Sequence, residues 1–550
     1  MSAGVSPRSG RLTEEDGRGA GEATERTRGA VTGILYGVGV GPGDPELVTV
    51  KAARLIGRAE VVAYHAGRPG RSLARASAAP YLPDGVVEEE LVYPVTRGRT
   101  DHPGGYQGAI DAFYERSAER LAAHLAAGRD VVLLAEGDPT LYSSFTHMQR
   151  RLTPRFRCVI VPGVTSVSAT AAAAGVPLVT GDETLSVLPA STPPERLRAL
   201  AGSADGLAFM KVRADLDGVC QALRGAGRLD DALLVSRASQ EGERVQPLRE
   251  AGQTGDLPYM SMVLVPGGAA SALPREAGAG AGGRAESGAV TVVGLGPAGA
   301  DWLTLEAAAA LAEAEDVVGY QTYVRRVPTR PGQRRHVTDN RVEAERAVFA
   351  LDLARRGSRV VVVSSGDPGV FAMATAVLEA QADGGYADVP VRVLPGLTAA
   401  NAVAARAGAP LGHDYCVVSL SDQLKPWSLV LRRLGAAAAA DLVLALYNPA
   451  SKARRGHLDE VRACLLEHRA PETPVVVGRA VGDADERVEV IRLGDLCADH
   501  VDMRTLLIVG SSRTRWDAAT GAVFTPRHHD GVASRLPVGV SLGAAADTRP

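Results

Sequence analysis

Apolar and polar positions run along this chain in blocks, and the blocks occur twice. From Tyr36 an apolar run broken by glycines (YGVGVGPGDP) leads into Val48, Ala52, Ile56 and Ala59 at helical spacing. From Val292 the same order returns as VVGLGPAGAD, followed by Leu303, Ala307, Leu311 and Ala314. Each copy continues with a short apolar run ending in a turn, VVLLAEGDP from Val131 and VVVVSSGDP from Val360. A third pair follows, VPGVTSVSATAAAAGVPL from Val161 and LPGLTAANAVAARAGAPL from Leu394. Short Val/Leu/Ile-rich runs bounded by turn residues predict strands, and the Ala-rich stripes between them predict helices. Three blocks repeated in one order define two homologous modules of α/β layers.

Composition places the boundaries. Residues 1–32 are charged and Gly-rich without an apolar stretch, which predicts a disordered lead and no signal peptide. The modules are expected over 33–266 and 289–512. Between them, 267–288 is rich in Gly, Ala and Pro and reads as a flexible linker. Beyond 512 periodicity fades, so 513–550 is expected to be a loose tail. A length of 550 residues fits more than one core.

A net charge of -3 argues against a protein built to coat nucleic acid. No run of about 18 apolar residues occurs, so no membrane span is expected. The five cysteines, Cys158, Cys220, Cys416, Cys464 and Cys497, form no CxxC pair. They read as small buried hydrophobes in a reducing cytoplasm. His528 and His529 lack ligand spacing, and no metal site is expected.

Gly294-Leu295-Gly296-Pro297-Ala298-Gly299 matches GxGxxG literally, which raises an NAD(P)-dependent oxidoreductase as one reading. Three features oppose it. The first copy has Gly39, Gly41 and Asp44 at those places, and a proline follows the second glycine where a phosphate-cradling helix would donate N–H groups. The next strand ends in Tyr64-His65 or Tyr320-Gln321, with no carboxylate for a ribose. The GDP turns at 137–139 and 366–368 are more informative. Alone, each is a good tight turn. In two copies at the carboxyl ends of apolar strands, they mark a ligand edge.

The glycine-proline loop, the GDP turn and the PG(V/L)T(S/A) turn, in this order, resemble the tetrapyrrole methyltransferase family over nearly all of 33–512. That resemblance implies two α/β lobes per module with S-adenosyl-L-methionine in the cleft between them. YPVTRGRTDHPGGYQGAIDAFYERSAERLAAHLAAG, EGDPTLYSSF and PYMSMVLVPG look like a precorrin-2 C(20)-methyltransferase. TDNRVEAERAVFALDLA, SSGDPGVFAMA and LYNPASKAR look like a precorrin-3B C(17)-methyltransferase, which is associated with ring contraction. The same steps on cobalt-precorrins are an alternative at this level of detail.

The family motifs carry over residue by residue. They imply cofactor contacts at Pro42, Glu136, Gly137, Asp138, Leu141, Thr165, Ser166 and Met210 in the first module, with Ala238 a looser placement. In the second they imply Pro297, Ser365, Gly366, Asp367, Val370, Thr398, Ala399 and Tyr447, with Ala480 again looser. The aspartate proposed as proton acceptor in some relatives is replaced here by His65 and Gln321, so that role does not transfer.

Methyl transfer from a sulfonium depends mainly on orientation, with a later proton loss from the ring carbon. Candidate proton acceptors are His65, Asp101 and His102, and His413 and Asp414 in the second copy. Asp101-His102-Pro103-Gly104 is equally a turn, and Asn340 with Glu343 equally a capping box. Arg97, Arg99, Arg150, Arg151, Arg325, Arg326, Arg334 and Arg335 are candidates for the substrate's carboxylates or for a solvated basic surface. Either a homodimer or a pairing of the two modules within one chain is expected.

Overall fold

The computed structural model describes residues 32–95, 100–180, 183–251, 257–267, 288–339, 342–423, 425–450, 456–517 and 519–526. Arg97, Arg99, Asn340, His528 and His529 lie outside them, as do the lead before residue 32 and linker positions 268–287.

The first module opens with β1 (Leu35–Gly39), β2 (Val61–Ala66), β3 (Val87–Val92), β4 (Val131–Ala135) and β5 (Cys158–Val161). They form a parallel sheet in the order β3-β2-β4-β1-β5. Both faces are covered, which is why β4 is apolar at every position. The stripe seen in sequence is real: Ala52 and Ile56 are buried on the helix Val50–Ile56, which Thr49 caps through Ala52 N. A second layer follows, with β6 (Thr184–Pro189), β7 (Gly206–Met210), β8 (Leu233–Ser236), β9 (Arg244–Pro247) and β10 (Ser261–Val265).

The second module repeats this plan. Strands β11 (Ala289–Gly294), β12 (Asp316–Tyr320), β13 (Arg334–Thr338), β14 (Arg359–Ser364) and β15 (Val391–Leu394) give the parallel order β13-β12-β14-β11-β15. After the two-residue β16 (Gly408–Ala409) come β17 (Tyr415–Ser419), β18 (Val443–Tyr447), β19 (Pro474–Arg479), β20 (Arg487–Arg492) and β21 (Thr505–Val509).

The second layers of the two modules are a single ten-stranded sheet, β20-β19-β21-β18-β17-β6-β7-β10-β8-β9. Its centre is the antiparallel pair β6–β17, with Val187 opposite Tyr415 and Thr184 opposite Val418. Pairing there satisfies two strand edges that separate modules would each leave open. Both hydrophobic clusters flanking this sheet draw on both modules: Leu207 and Leu444 share one, Leu185 and Val417 the other. Each fully buried leucine or valine contributes about 1.5–3 kcal/mol of transfer free energy, so this junction is a core and not a surface contact.

One boundary moves. Residues 513–517 and 519–526, expected to be loose, continue the fold: β22 (Arg515–Trp516) and β23 (Val523–Phe524) pair with each other and β23 pairs with β16. Val523 is 1% exposed, and Thr525 Oγ1 donates to Pro410 O at 2.6 Å. Two-residue strands are too short to register as periodicity, so only the partner at Gly408–Ala409 reveals them.

Candidate active site

Because β1 lies between β4 and β5, the loops leaving these three strands converge at their carboxyl ends. Gly137 N donates to Gly41 O at 2.8 Å, and Gly163 N donates to Asp138 Oδ2 at 3.1 Å. The approach excludes side chains: a Cβ on Gly39 would lie 2.6 Å from Gly137 O, and one on Gly163 2.2 Å from it. The second module matches this closely. Gly366 N donates to Gly296 O at 2.9 Å, Gly396 N to Asp367 Oδ2 at 3.0 Å, and a Cβ on Gly396 would meet Gly366 O at 2.3 Å. Gly137 and Gly366 adopt φ of 63° and 65°, which glycine takes without strain.

The GDP aspartates are therefore internal clamps. Asp138 and Asp367 are 2% and 4% exposed, and their second oxygens accept from Thr140 N and Gly369 N at 2.8 and 2.9 Å. Burial pushes each carboxyl up to about 6, with the hydrogen bonds pulling the other way. With these carboxylates engaged, the turn offers a ligand its backbone and its neighbours. Glu136 is one such neighbour: its side chain is exposed, and desolvation by the surrounding protein raises its carboxyl.

The remaining carried-over positions lie on the segments after these turns or at strand ends of the second layer. Thr165 and Thr398 cap their helices, accepting from Ser168 N at 3.2 Å and Asn401 N at 3.1 Å, which puts Ser166 and Ala399 at helix starts. Leu141 is buried, and Ser365 is half-buried beside Gly366. Val370 forms a bridge with Val179 of the first module. From the other lobe, Met210 ends β7 and Tyr447 ends β18. The Tyr447 hydroxyl accepts from Ala400 N at 3.2 Å, and burial pushes it up to about 12. Ala238 follows β8, and Ala480 follows β19 with its N–H on Arg504 O at 3.0 Å.

Two contacts tie the lobes together, one from Gln240, which no sequence pattern marks, and one from Arg326, expected from sequence to face substrate carboxylates or solvent. Gln240 Nε2, two residues beyond Ala238, donates to Pro42 O at 2.7 Å. In the second module Arg326 Nη1 donates to Pro297 O at 2.8 Å while its guanidinium lies 3.9 Å from Asp483. Backbone strain also marks the site. Lys211, Arg237, Ser239, Asn448 and Ala480 have φ between 51° and 59° within three residues of the ends of β7, β8, β18 and β19, and Tyr142 and Phe371, at 50° and 51°, lie four residues beyond the GDP aspartates. Non-glycine residues hold this conformation only where their surroundings impose it.

The expected proton acceptors fare differently. His65 stacks on Tyr93 with ring centroids 5.5 Å apart, edges against Phe113 and Tyr114, and burial lowers it to about 4. It is a neutral member of an aromatic cluster that reaches Ser144 beyond the GDP turn, through Tyr93 Oη at 2.5 Å. Asp101 is exposed. His102 Nδ1 accepts from Gly104 N at 3.1 Å and its ring lies against Gly108, at the start of the helix Gly105–Ala126. His413 Nδ1 lies 3.4 Å from Asp414 Oδ1. Asp414, however, is buried against the first module, where Tyr142 Oη donates to Oδ1 at 3.1 Å and Arg196 lies 3.3 Å from Oδ2. Both carboxylate oxygens of Asp414 are thereby engaged by side chains of the first module.

Most candidate arginines are committed within the fold. Arg150 packs on Phe524, Arg151 pairs with Glu115, Arg334 with buried Asp316, and Arg335 binds three carbonyls. Arg325 is exposed. Arg346, not singled out in sequence, is 2% exposed and bonds Thr338 Oγ1 at 2.7 Å and Asp339 O at 2.6 Å. Among the described residues no group of three His, Cys, Asp or Glu is placed to hold a metal, and no helix is long and apolar enough to cross a membrane.

This twofold arrangement belongs to a defined class. The sequence profile of the tetrapyrrole (corrin/porphyrin) methylases matches residues 34–252 and 289–497, and the chain belongs to that family. It is 53% identical over 503 residues to the cobalamin biosynthesis protein CobIJ of Mycobacterium tuberculosis, covering 90% of this chain and 96% of that one. Two shorter relatives come from Sinorhizobium sp. The precorrin-3B C(17)-methyltransferase is 49% identical over 251 residues, 44% of this chain and 98% of its own. The precorrin-2 C(20)-methyltransferase is 44% identical over 241 residues, 44% of this chain and 97% of its own. Family membership removes the dinucleotide reading of Gly294–Gly299.

Proposed function

We propose that this chain is a bifunctional S-adenosyl-L-methionine-dependent C-methyltransferase of corrin-ring synthesis. Its first module methylates C-20 of precorrin-2. Its second methylates C-17 of precorrin-3B, coupled to ring contraction. One observation carries the reading: two complete sets of crossed glycine turns, each with its own second lobe, held in one sheet. Both modules keep the loop, the GDP turn and the capped helix, so neither is a degenerate scaffold.

The chain suits a sulfonium donor. Gly39 and Gly163 approach the Gly137 carbonyl where no side chain fits, so the three backbones lie close together. When bound, S-adenosyl-L-methionine supplies an electrophilic methyl group. Pro42, Gly137, Thr165, Ser166 and Met210 would hold it in the first module, and Pro297, Gly366, Thr398, Ala399 and Tyr447 in the second. The protein's contribution is orientation and exclusion of water. His65 packs among Tyr93, Phe113 and Tyr114, and burial holds its imidazole down at about 4, which favours the neutral ring at physiological pH. Titration calorimetry with S-adenosylhomocysteine tests the reading, with two sites per chain expected. A single site would reduce one module to a support, and none would overturn the assignment.

A further inference from the structure

The contact between Tyr142 and Asp414 crosses from one module to the other and reaches the first cofactor turn. Tyr142 lies four residues beyond Asp138, with φ of 50°. Its hydroxyl donates to Asp414 Oδ1 at 3.1 Å, and Arg196 holds the other oxygen at 3.3 Å. Asp414 is 2% exposed, and it enters β17, the strand at the junction of the shared sheet. On its other side the Tyr142 ring carries the Lys211 ammonium 4.9 Å from its centre. Lys211 follows Met210 directly and is itself left-handed at 56°. Tyr142 is thus gripped between the GDP turn of one lobe and the turn after β7 of the other, with the second module supplying the anchor.

The counterpart in the second module is built otherwise. Phe371 repeats the strained φ at 51°, but it has no hydroxyl and packs its ring 5.4 Å from Tyr447 of its own module. The dependence through this position therefore runs one way.

We propose that Asp414, carried by the second module, is a positioning residue for the first module's cofactor turn, acting through the hydroxyl of Tyr142. The proposal rests on the reading of that turn as an S-adenosyl-L-methionine site. A left-handed tyrosine has no intrinsic reason to stay where it is, and a buried charge-assisted hydrogen bond supplies one.

The test uses the full chain with Tyr142→Phe, Asp414→Asn and the double variant. With precorrin-2, the KM for S-adenosyl-L-methionine is expected to rise about five- to tenfold in each single variant, with a smaller change in kcat. The double variant should be no worse than either single one, as expected for two members of one contact. Calorimetry with S-adenosylhomocysteine should show one of two sites weakened by the same factor, and methylation of precorrin-3B should stay within about twofold. An unchanged first site overturns the proposal. So does equal weakening of both sites, which would mean that the fold has loosened. A wild-type chain that binds no S-adenosylhomocysteine would remove the functional reading itself, an outcome distinct from two intact sites that ignore these substitutions.

Discussion

Gly163 donates its backbone N–H to Asp138 Oδ2 at 3.1 Å, so the turn after β5 and the GDP turn after β4 form one hydrogen-bonded unit. In Asp138→Asn the side chain keeps one acceptor, and its amide is turned toward an N–H whichever way it flips. We expect about tenfold weaker S-adenosylhomocysteine binding at the first site, some 1.4 kcal/mol, with the second site unchanged in calorimetry.

The same two aspartates set a pH dependence. Burial holds both folded carboxyls up at about 6, above the ordinary aspartate value of 3.8, so the native state binds these protons more tightly than the unfolded chain. Stability from this source is greatest at low pH and falls as pH rises from about 4 to about 6. Melting curves of wild type and the Asp138→Asn/Asp367→Asn variant should therefore diverge in the variant's favour over that window and run parallel above it. A difference that is constant with pH would refute the linkage.

Close approach at the crossed turns has a steric test. A Cβ at Gly163 would stand 2.2 Å from Gly137 O, and one at Gly396 2.3 Å from Gly366 O, both against backbone that cannot rotate away. Gly163→Ala should abolish S-adenosylhomocysteine binding at the first site and Gly396→Ala at the second. Each variant should still melt cooperatively.

Burial lowers His65 to about 4, and Gln321 stands at the corresponding position of the second module. His65→Gln should leave the shape of the C-20 methylation pH profile between pH 6 and 8 unchanged. Loss of a titration in that range would restore His65 as a proton acceptor.

The junction β6–β17 predicts the outcome of cutting the chain. A protease site placed within 268–287 should yield two fragments that co-elute in gel filtration at the mass of the whole, because the shared sheet and both flanking cores remain. Separation of the fragments without denaturant would contradict the junction.

Much of this protein was legible in its sequence. The repeat, the strand-and-helix alternation and the three glycine-bearing turns follow from periodicity and from backbone conformations that only glycine and proline serve well. Side chains whose role depends on a distant partner were not legible. His102 and Asp414 carry the chemistry of proton acceptors, but a helix start occupies one and the opposite module the other. Gln240 bridges the lobes from a position with no local pattern, and Arg326, a candidate for substrate carboxylates in sequence, bonds the Pro297 carbonyl instead. The ten-stranded sheet is the largest such case. Local hydrophobicity determines that β6 and β17 are buried strands, and only the tertiary structure decides that each pairs with the other, because an open strand edge has no preference of its own until a partner satisfies its hydrogen bonds.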